Sequence, residues 1–122
     1  MIQIKDILSK YKTIAMIGVS NDLTKPSTIV MKYMQKYGYK VIPVNPSSKG
    51  KIILGEKVYE SLDKIGNTVD IVNVFRPSEE ALSLAKDTIK IGAKVFWLQL
   101  GIKNLAAKKL VESNNIHYIE NK

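Results

Sequence analysis

The sequence predicts an α/β fold in which helices cover both faces of a parallel sheet. Short apolar runs such as Thr13–Ile17 and Val69–Phe75 alternate along the chain with amphipathic segments of helical spacing. Several of these runs are apolar at consecutive positions, which is typical of strands that are buried on both faces. The length of 122 residues is that of one domain with one continuous core.

The first third of the chain predicts two helices around one strand. The first amphipathic helix has apolar side chains at helical spacing, at Ile4, Ile7, Leu8 and Tyr11. Thr13–Ile17 follows as the first strand, and the chain turns at Gly18. After a polar stretch, Pro26 and Ser27 mark the start of the next helix, since proline suits the first helical turn. That helix is expected to end at Gly38 and to have one apolar stripe: Ile29, Val30, Tyr33, Met34 and Tyr37.

The middle of the chain predicts a second strand and a weaker third one. Tyr39–Val44 forms the second strand, which Asn45 and Pro46 close. Ser47–Leu54 is expected to be a loop. Glu56–Tyr59 is a candidate short third strand, and Ser61–Ile65 a candidate helical turn.

The second half repeats the strand and helix alternation. Val69–Phe75 is the fourth strand, and Glu79 and Glu80 lie in the first turn of the helix that follows, where negative charge is favourable. Leu82, Ala85 and Ile89 are expected to face inward, with Gly92 after the last turn. The remaining elements are a strand over Lys94–Leu98, a helix from its cap at Asn104 through Val111, and a short edge strand over Ile116–Ile119.

The connections restrict the topology. Because crossovers between parallel strands are right-handed, few strand orders are compatible with this alternation. We predict the order 3-2-1-4-5 with the terminal strand as a sixth, in a three-layer, Rossmann-like sheet. The sequence has no repeat, low-complexity segment or linker, so residues 1–122 are expected to form a single domain.

Composition excludes several functional classes. The net charge is +8, but lysines supply all of the 19 basic residues except Arg76, and they are spread along the chain. Nucleic-acid recognition is therefore not expected, since it depends on clustered arginine and interleaved aromatic residues. Without cysteine and with one histidine, no metal site is expected. Neither a membrane-spanning run nor a leader in Met1–Lys10 is recognised, which predicts a cytoplasmic protein that does not bind membranes.

A ligand site is expected where the strand order reverses. In open parallel sheets, ligands bind beyond the carboxyl ends of the strands at this point. Here it lies between the strand that ends at Gly18 and the strand that ends at Phe75. Three segments are expected to meet there, with Gln99–Gly101 at the border: Gly18–Ser27, Val44–Lys51 and Phe75–Ser78.

The first of these segments has the chemistry of a phosphate site. Gly18 permits a tight turn and a close approach of the backbone, and the helix that starts at Pro26 directs free amides and a favourable dipole toward an anion. Lys25 adds a positive charge. Hydroxyl and amide donors are contributed by Ser20, Asn21, Thr24 and Ser27. Asp22 is expected to brace the loop by accepting hydrogen bonds from backbone amides.

The same segments disfavour NAD. A dinucleotide fingerprint requires three glycines and a later acidic residue for the ribose. The loop has one glycine, and Val44-Asn45-Pro46 stands where the acid would lie. Lys49 favours a ligand with an additional ribose phosphate, which leaves coenzyme A and NADP.

Five motifs in order resemble the stand-alone CoA-binding domain family, which is similar to the CoA-binding domain of the succinyl-CoA synthetase alpha subunit. They span nearly the whole chain: IGVSNDLTKPS, GYKVIPVNP, ILGEKVYESL, VDIVNVFRPSE and AKVFWLQLGI. The resemblance implies a Rossmann-like fold and coenzyme A or an acyl-CoA as ligand. The chain departs from the family at its end, since family members often continue to a cysteine beyond the last strand.

The resemblance also assigns site residues. The CoA phosphates would be held by Gly18, Val19, Ser20, Lys25, Pro26 and Ser27. The adenosine side would be lined by Val44, Asn45 and Pro46, with Lys49 or its neighbour Lys51 near the ribose phosphate. The nucleotide would be flanked from the other strand by Phe75, Arg76 and Pro77.

No catalytic residue is predicted. Trp97 is expected to fill the core and His117 to lie at the surface, so no acid–base pair faces the crevice. Arg76 either enters the crevice or pairs with Glu79 or Glu80.

Since no acid–base pair is predicted, we expect a non-catalytic CoA-binding protein. The alternatives are an NADP-binding, reductase-like protein and a CoA-sensing regulatory or interaction subunit; a protein partner or homo-oligomer stays open.

Overall fold

The computed structural model describes residues 4–122, and residues 1–3 of the opening segment lie outside the described residues. Four α-helices are present in this range: α1 (Ile4–Lys10), α2 (Pro26–Lys36), α3 (Ala81–Lys90) and α4 (Leu105–Glu112). The strands are β1 (Thr13–Ile17), β2 (Lys40–Val44), β3 (Ile52–Ile53), β4 (Glu56–Lys57), β5 (Ile71–Val74), β6 (Val95–Leu98) and β7 (His117–Ile119). Short 3₁₀ turns occupy Pro46–Ser48, Leu62–Lys64 and Ser78–Glu80.

Five strands form one parallel sheet in the order β2-β1-β5-β6-β7. This arrangement confirms the predicted α/β class, the Rossmann-like topology and the strand order. β1 pairs with β2 on one side and with β5 on the other, so the order reverses at β1. That reversal places the carboxyl ends of β1, β2 and β5 side by side.

The third strand of the predicted order is reduced to one residue. Tyr59 forms a single parallel bridge with Val44 beside β2, whereas Glu56–Lys57 pairs with Ile52–Ile53 in a separate antiparallel hairpin. The predicted loop over Ser47–Leu54 was therefore wrong at Ile52–Ile53, which form β3. The reason is the turn at Leu54 and Gly55, whose positive φ angles of 48° and 83° reverse the chain between β3 and β4.

Alternation along the strands divides the core into two halves. Ala15, Val72 and Phe96 face α3 and α4. Ile14, Ile71 and Trp97 face α1 and α2. All six are buried. Because both faces of the strands are apolar, both must be covered by helices, which explains the three layers.

The apolar stripe of α2 is not as predicted. Met31 and Met34 are buried, whereas Ile29, Tyr33 and Tyr37 are exposed. At 3.6 residues per turn these two groups fall on opposite sides of the helix. The single stripe read from the sequence therefore combined two distinct apolar faces.

Candidate functional site

The carboxyl ends of β1, β2 and β5 are joined by backbone hydrogen bonds. The N–H of Gly18 donates to the carbonyl of Val44 at 2.8 Å, and the N–H of Phe75 donates to the carbonyl of Ile17 at 2.8 Å. The three loops that leave these strands therefore start from fixed positions. This is the crevice that the strand order predicts.

Gly18 is required at the start of the first loop. Its φ is +91°, and a Cβ atom placed on it would lie 2.6 Å from the Phe75 carbonyl oxygen and 2.9 Å from Cδ of Arg76. A side chain would thus clash with the neighbouring loop in addition to adopting an unfavourable backbone conformation. The glycine brings the two loops into direct contact.

Polar side chains hold the loop between Gly18 and α2 in shape. The Thr28 hydroxyl donates to the carbonyls of Ser20 at 2.7 Å and Asp22 at 3.1 Å, and the Ser20 N–H donates to Oγ of Ser27 at 3.2 Å. Oδ1 of Asp22 accepts from the N–H and hydroxyl of Thr24 at 2.9 and 2.7 Å. These bonds from Thr24 hold the pKa of Asp22 below its usual value. Asp22 braces the loop as predicted.

Two backbone amides of this loop are left for a ligand. Within residues 4–122, nothing accepts a hydrogen bond from the N–H of Asn21 or Ser27. The N–H of Val19 also lacks an acceptor, but Val19 is fully buried. α2 starts directly afterwards, with Pro26 in its first turn and no side-chain cap at Lys25. Unpaired amides at the positive end of a helix dipole favour an anion.

Asn45 connects the loops after β1 and β2. Its Nδ2 donates to the Val19 carbonyl at 3.0 Å, while its Oδ1 accepts from the N–H and hydroxyl of Ser47 at 3.1 and 2.8 Å. The asparagine thereby caps the turn at Pro46–Ser48. It fixes the wall on which the adenosine part of a nucleotide is expected to lie.

A cavity of ≈ 390 Å³ opens between these loops. Five of the predicted site residues line it: Gly18, Val44, Asn45, Pro46 and Arg76. Ser47 belongs to the segment Val44–Lys51 that was expected at the crevice. Sequence reasoning did not place the others there: Ile17, Glu60, Ser61, Leu62, Glu80, Leu84 and Asp87. The spacing of Glu80, Leu84 and Asp87 on one side of α3 was the signal that could have found part of this wall.

Arg76 lies in the crevice and pairs with Glu80, so both of the alternatives considered for it are present. Its Nη2 and Nε contact the two carboxylate oxygens at 2.7 and 3.1 Å. These hydrogen bonds raise the pKa of Arg76 and lower the pKa of Glu80. Since the pair is half-exposed, its contribution to stability is small, and Arg76 can exchange the carboxylate for a ligand phosphate.

A second depression of ≈ 490 Å³ lies on the other side of Arg76. It is lined by predicted residues and by the segment after β6: Pro26, Phe75, Arg76, Pro77, Gln99, Leu100 and Ile102. Nε2 of Gln99 donates to Oδ1 of Asn73 at 2.6 Å, and the Asn73 Nδ2 is buried without an acceptor among the described residues. The crevice thus continues across the sheet as the sequence predicts for Gln99–Gly101.

The remaining predicted residues surround the crevice rather than line it. Val19 has its side chain in the core, Lys25 is exposed before α2, and Ser20 and Ser27 are bonded to each other. Nζ of Lys49 lies 3.5 Å from Glu60, outside the main cavity. Lys49, Lys57 and Lys64 border an adjoining depression of ≈ 350 Å³ that shares Glu60 with the cavity.

Comparison with known proteins adds to this geometry. A family model described as "CoA binding domain" matches residues 12–122. The chain belongs to the CoA-binding domain family. The match covers all three loops of the crevice, which agrees with the family resemblance read from the sequence.

Relatives of this CoA-binding domain include proteins without an assigned activity. An uncharacterised protein of Bacillus subtilis (strain 168), YneT, is 41% identical over 110 residues, which are 90% of this chain and 80% of that protein. A hypothetical protein from Pyrococcus horikoshii OT3 is 34% identical with a TM-score of 0.92, over 97% of this chain and 82% of that chain.

The fold also occurs as part of a larger enzyme. The dinucleotide-forming acetyl-coenzyme A synthetase 1 of Ca. Korarchaeum cryptofilum matches with a TM-score of 0.74 and 20% identity. The match covers 93% of this chain and 27% of the synthetase. At this identity the likeness shows the fold alone.

Proposed function

We propose that this chain binds coenzyme A or an acyl-CoA at the carboxyl edge of the sheet and does not transform it. The ligand phosphates lie against the loop between Gly18 and Ser27, and the adenosine lies along Val44, Asn45 and Pro46. The observation that carries the proposal is the pair of unpaired amides at Asn21 and Ser27, beside the start of α2, in a chain of the CoA-binding domain family.

The cationic border supports coenzyme A over simpler nucleotides. Lys49, Lys57 and Lys64 lie beside the cavity on the side of the proposed adenosine wall. Coenzyme A carries a 3′-phosphate on its ribose, which these lysines can reach as exposed point charges. The name of the synthetase that shares the fold also refers to a coenzyme A reaction.

The arrangement of titratable groups supports binding without catalysis. His117 is exposed on β7, at the far edge of the sheet from the crevice. Glu80 is held by Arg76, and no group of three or more metal-ligating side chains is found within residues 4–122. Of the three carboxylates that line the cavity, Glu80 pairs with Arg76 and Glu60 lies 3.5 Å from Nζ of Lys49, while Asp87 has no cationic partner among the described residues. Catalysis by a matched acid and base is therefore not expected.

Calorimetry with coenzyme A, dephospho-CoA and NADP tests the proposal. We expect coenzyme A to bind with a Kd near the micromolar range, which corresponds to about 8 kcal/mol. Dephospho-CoA should bind more weakly because it lacks the 3′-phosphate, and NADP more weakly still. If coenzyme A does not bind, or if NADP binds more tightly, the proposal is wrong.

Lys49→Ala tests the contact with the 3′-phosphate. We expect the affinity for coenzyme A to fall about fivefold, which corresponds to about 1 kcal/mol for an exposed charge pair, while the affinity for dephospho-CoA stays unchanged. Lys51→Ala decides between the two neighbouring lysines, and Lys109→Ala on α4 is the distant control. An equal loss for both ligands would contradict the assignment.

A further inference from the structure

α2 presents a second apolar face to solvent. Leu23, Ile29, Tyr33 and Tyr37 are each more than half exposed, from 56% to 63%. Together with Leu54 they form what we call the outer face of α2. Leu23, Ile29, Tyr33 and Leu54 line a groove of ≈ 550 Å³ between the helix and the hairpin turn. Because the opposite side of α2 already packs in the core, the exposed side chains of this face are not required for folding, whereas Leu54 also packs against the core.

The groove has a defined shape. The rings of Tyr33 and Tyr37 pack against each other with centroids 4.8 Å apart. Nε2 of Gln35 donates to the Leu54 carbonyl at 3.1 Å and holds the hairpin turn against the helix. Clustered tyrosines of this kind are enriched at the centres of protein–protein interfaces.

Leu54 occupies a backbone conformation that leucine disfavours. Its φ is +48°, and Gly55 follows with φ +83° in the two-residue turn between β3 and β4. Asparagine or glycine adopts this position with much less strain. The leucine is therefore unfavourable for the turn, but its side chain completes the wall of the groove.

The charged side chains that line the groove are all positive. Lys32 and Lys36 line it, and no acidic side chain does. Neither lysine belongs to an ion pair within the described part of the chain. A partner with carboxylates beside an apolar strip would match this pattern, whereas a second copy of a chain with net charge +8 would bring like charges together.

We propose that the outer face of α2 binds an amphipathic helix of another protein, with aspartate or glutamate beside its apolar stripe. The span from Ile29 to Tyr37 is about 12 Å along the helix axis, which matches about two turns of a partner helix with anchors at i, i+3, i+4 and i+7. The concave groove and its packed tyrosines favour such a helix over a flat lipid surface. The proposal does not depend on coenzyme A binding.

A displayed library of helical peptides tests the proposal on the full chain. The peptides have fixed apolar residues at i, i+3, i+4 and i+7 and random residues at the flanking positions. We expect selection to enrich aspartate and glutamate at these positions. A synthesised peptide from the selected pool should bind at least tenfold more weakly to Tyr33→Ser. On the double variant Lys32→Glu/Lys36→Glu, selection should enrich lysine and arginine instead.

Leu54→Asn separates binding from folding. This variant should bind the selected peptide at least threefold more weakly while its melting temperature changes little, because the relief of strain in the turn offsets the lost packing of Leu54 against the core. Glu112→Ala on α4 is the control that should change neither value. A fall in melting temperature without loss of binding would contradict the role of Leu54 in the groove.

Several results would overturn the proposal. It fails when selection enriches no peptide, when the enriched peptides show no acidic preference, or when their binding is insensitive to Tyr33→Ser. Vesicles of phosphatidylglycerol that bind the chain through Tyr33 would show a lipid surface instead. A concentration-dependent dimer in sedimentation that is abolished by Tyr33→Ser would show that the occupant is a second copy.

Discussion

Gly18 determines how closely the loops after β1 and β5 approach each other. Its N–H donates to the Val44 carbonyl, and a Cβ atom on it would overlap with the Phe75 carbonyl oxygen. The close approach of the loops therefore requires both the backbone conformation with φ +91° and the absence of a side chain. The crevice therefore depends on a single glycine, where a dinucleotide-binding loop would have three.

Gly18→Ala should destabilise the fold by about 3 kcal/mol. About 1–2 kcal/mol comes from the left-handed conformation, and about 1–3 kcal/mol from the overlap with the Phe75 carbonyl. Urea unfolding measures the change. Gly38→Ala is the matched control, since Gly38 has φ +89° but no atom within 4 Å of the added Cβ. Equal losses in the two variants would contradict the close approach.

Tyr118 should titrate later than an ordinary tyrosine. Burial, and to a smaller extent the neighbouring Glu120 carboxylate, raises the pKa of Tyr118 to about 12. Its hydroxyl donates to Glu120 at 2.9 Å and accepts from the Asn104 N–H at 3.1 Å. Since the folded state holds the proton more tightly, this residue stabilises the fold below the ordinary tyrosine pKa near 10, and the stabilisation is lost as pH rises toward 12.

Absorbance at the phenolate wavelength measures this titration, and Tyr118→Phe provides the comparison. We expect one tyrosine of the native protein to ionise in a late step near pH 12. This late step should be missing from the titration of the variant. The exposed Tyr33 is the control, because Tyr33→Phe should leave the late step in place. If the late step survives in Tyr118→Phe, the assignment is wrong.

At the scale of elements, helix termini fix both the fold and the crevice. Oδ1 of Asn104 accepts from the Ala107 N–H at 2.9 Å and caps α4, and Nδ2 of the same side chain donates to the Ser78 carbonyl at 3.0 Å. Asn104 thus joins α4 to the turn that precedes α3. By contrast, α2 has no side-chain cap, and the N–H of Ser27 in its first turn has no acceptor among the described residues.

Asn104→Ala should cost about 1 kcal/mol from the lost cap, and somewhat more from the lost contact with Ser78. Thermal unfolding measures the loss. Asn104→Asp keeps the acceptor and adds a charge that the helix dipole favours, so it should lose less than alanine does. Identical losses for the two substitutions would show that the cap contributes nothing.

The elements also show where sequence reasoning succeeds and where it fails. β1, β5 and β6 were predictable because strands buried on both faces are apolar at every position, and Pro26 and Asn104 marked helix starts by their chemistry. β3 was missed because Leu54 occupies a turn position where asparagine or glycine would have been the signal. The outer face of α2 was missed because periodicity shows that a side chain is apolar but does not show what covers it.

For the whole molecule, topology explains the location of the site better than any single residue does. The order β2-β1-β5 places three loops together that are distant in sequence. Five of the residues that the resemblance assigns to the ligand line one cavity: Gly18, Val44, Asn45, Pro46 and Arg76. Glu60 and Leu62 could not be placed in it, since the path of the chain after β2 depends on the single bridge at Tyr59.

No helix within residues 4–122 combines the length and apolar character needed to cross a bilayer. The net charge of +8 attracts a polyanionic ligand at long range, while the acidic side chains in the cavity restrict where its phosphates can lie. The phosphates are proposed to lie at the amides of Asn21 and Ser27, which do not line the cavity that contains Glu60 and Asp87, and this position is consistent with both features.

Titration of the ¹⁵N-labelled chain with coenzyme A tests the central claim most directly, because each backbone amide reports its own surroundings. We predict saturable shifts that are largest for the amides of Asn21 and Ser27, with smaller ones at Asn45 and none at His117. Saturable binding with its largest shifts at β7 or α4, or no shift at the two loop amides, would contradict the account.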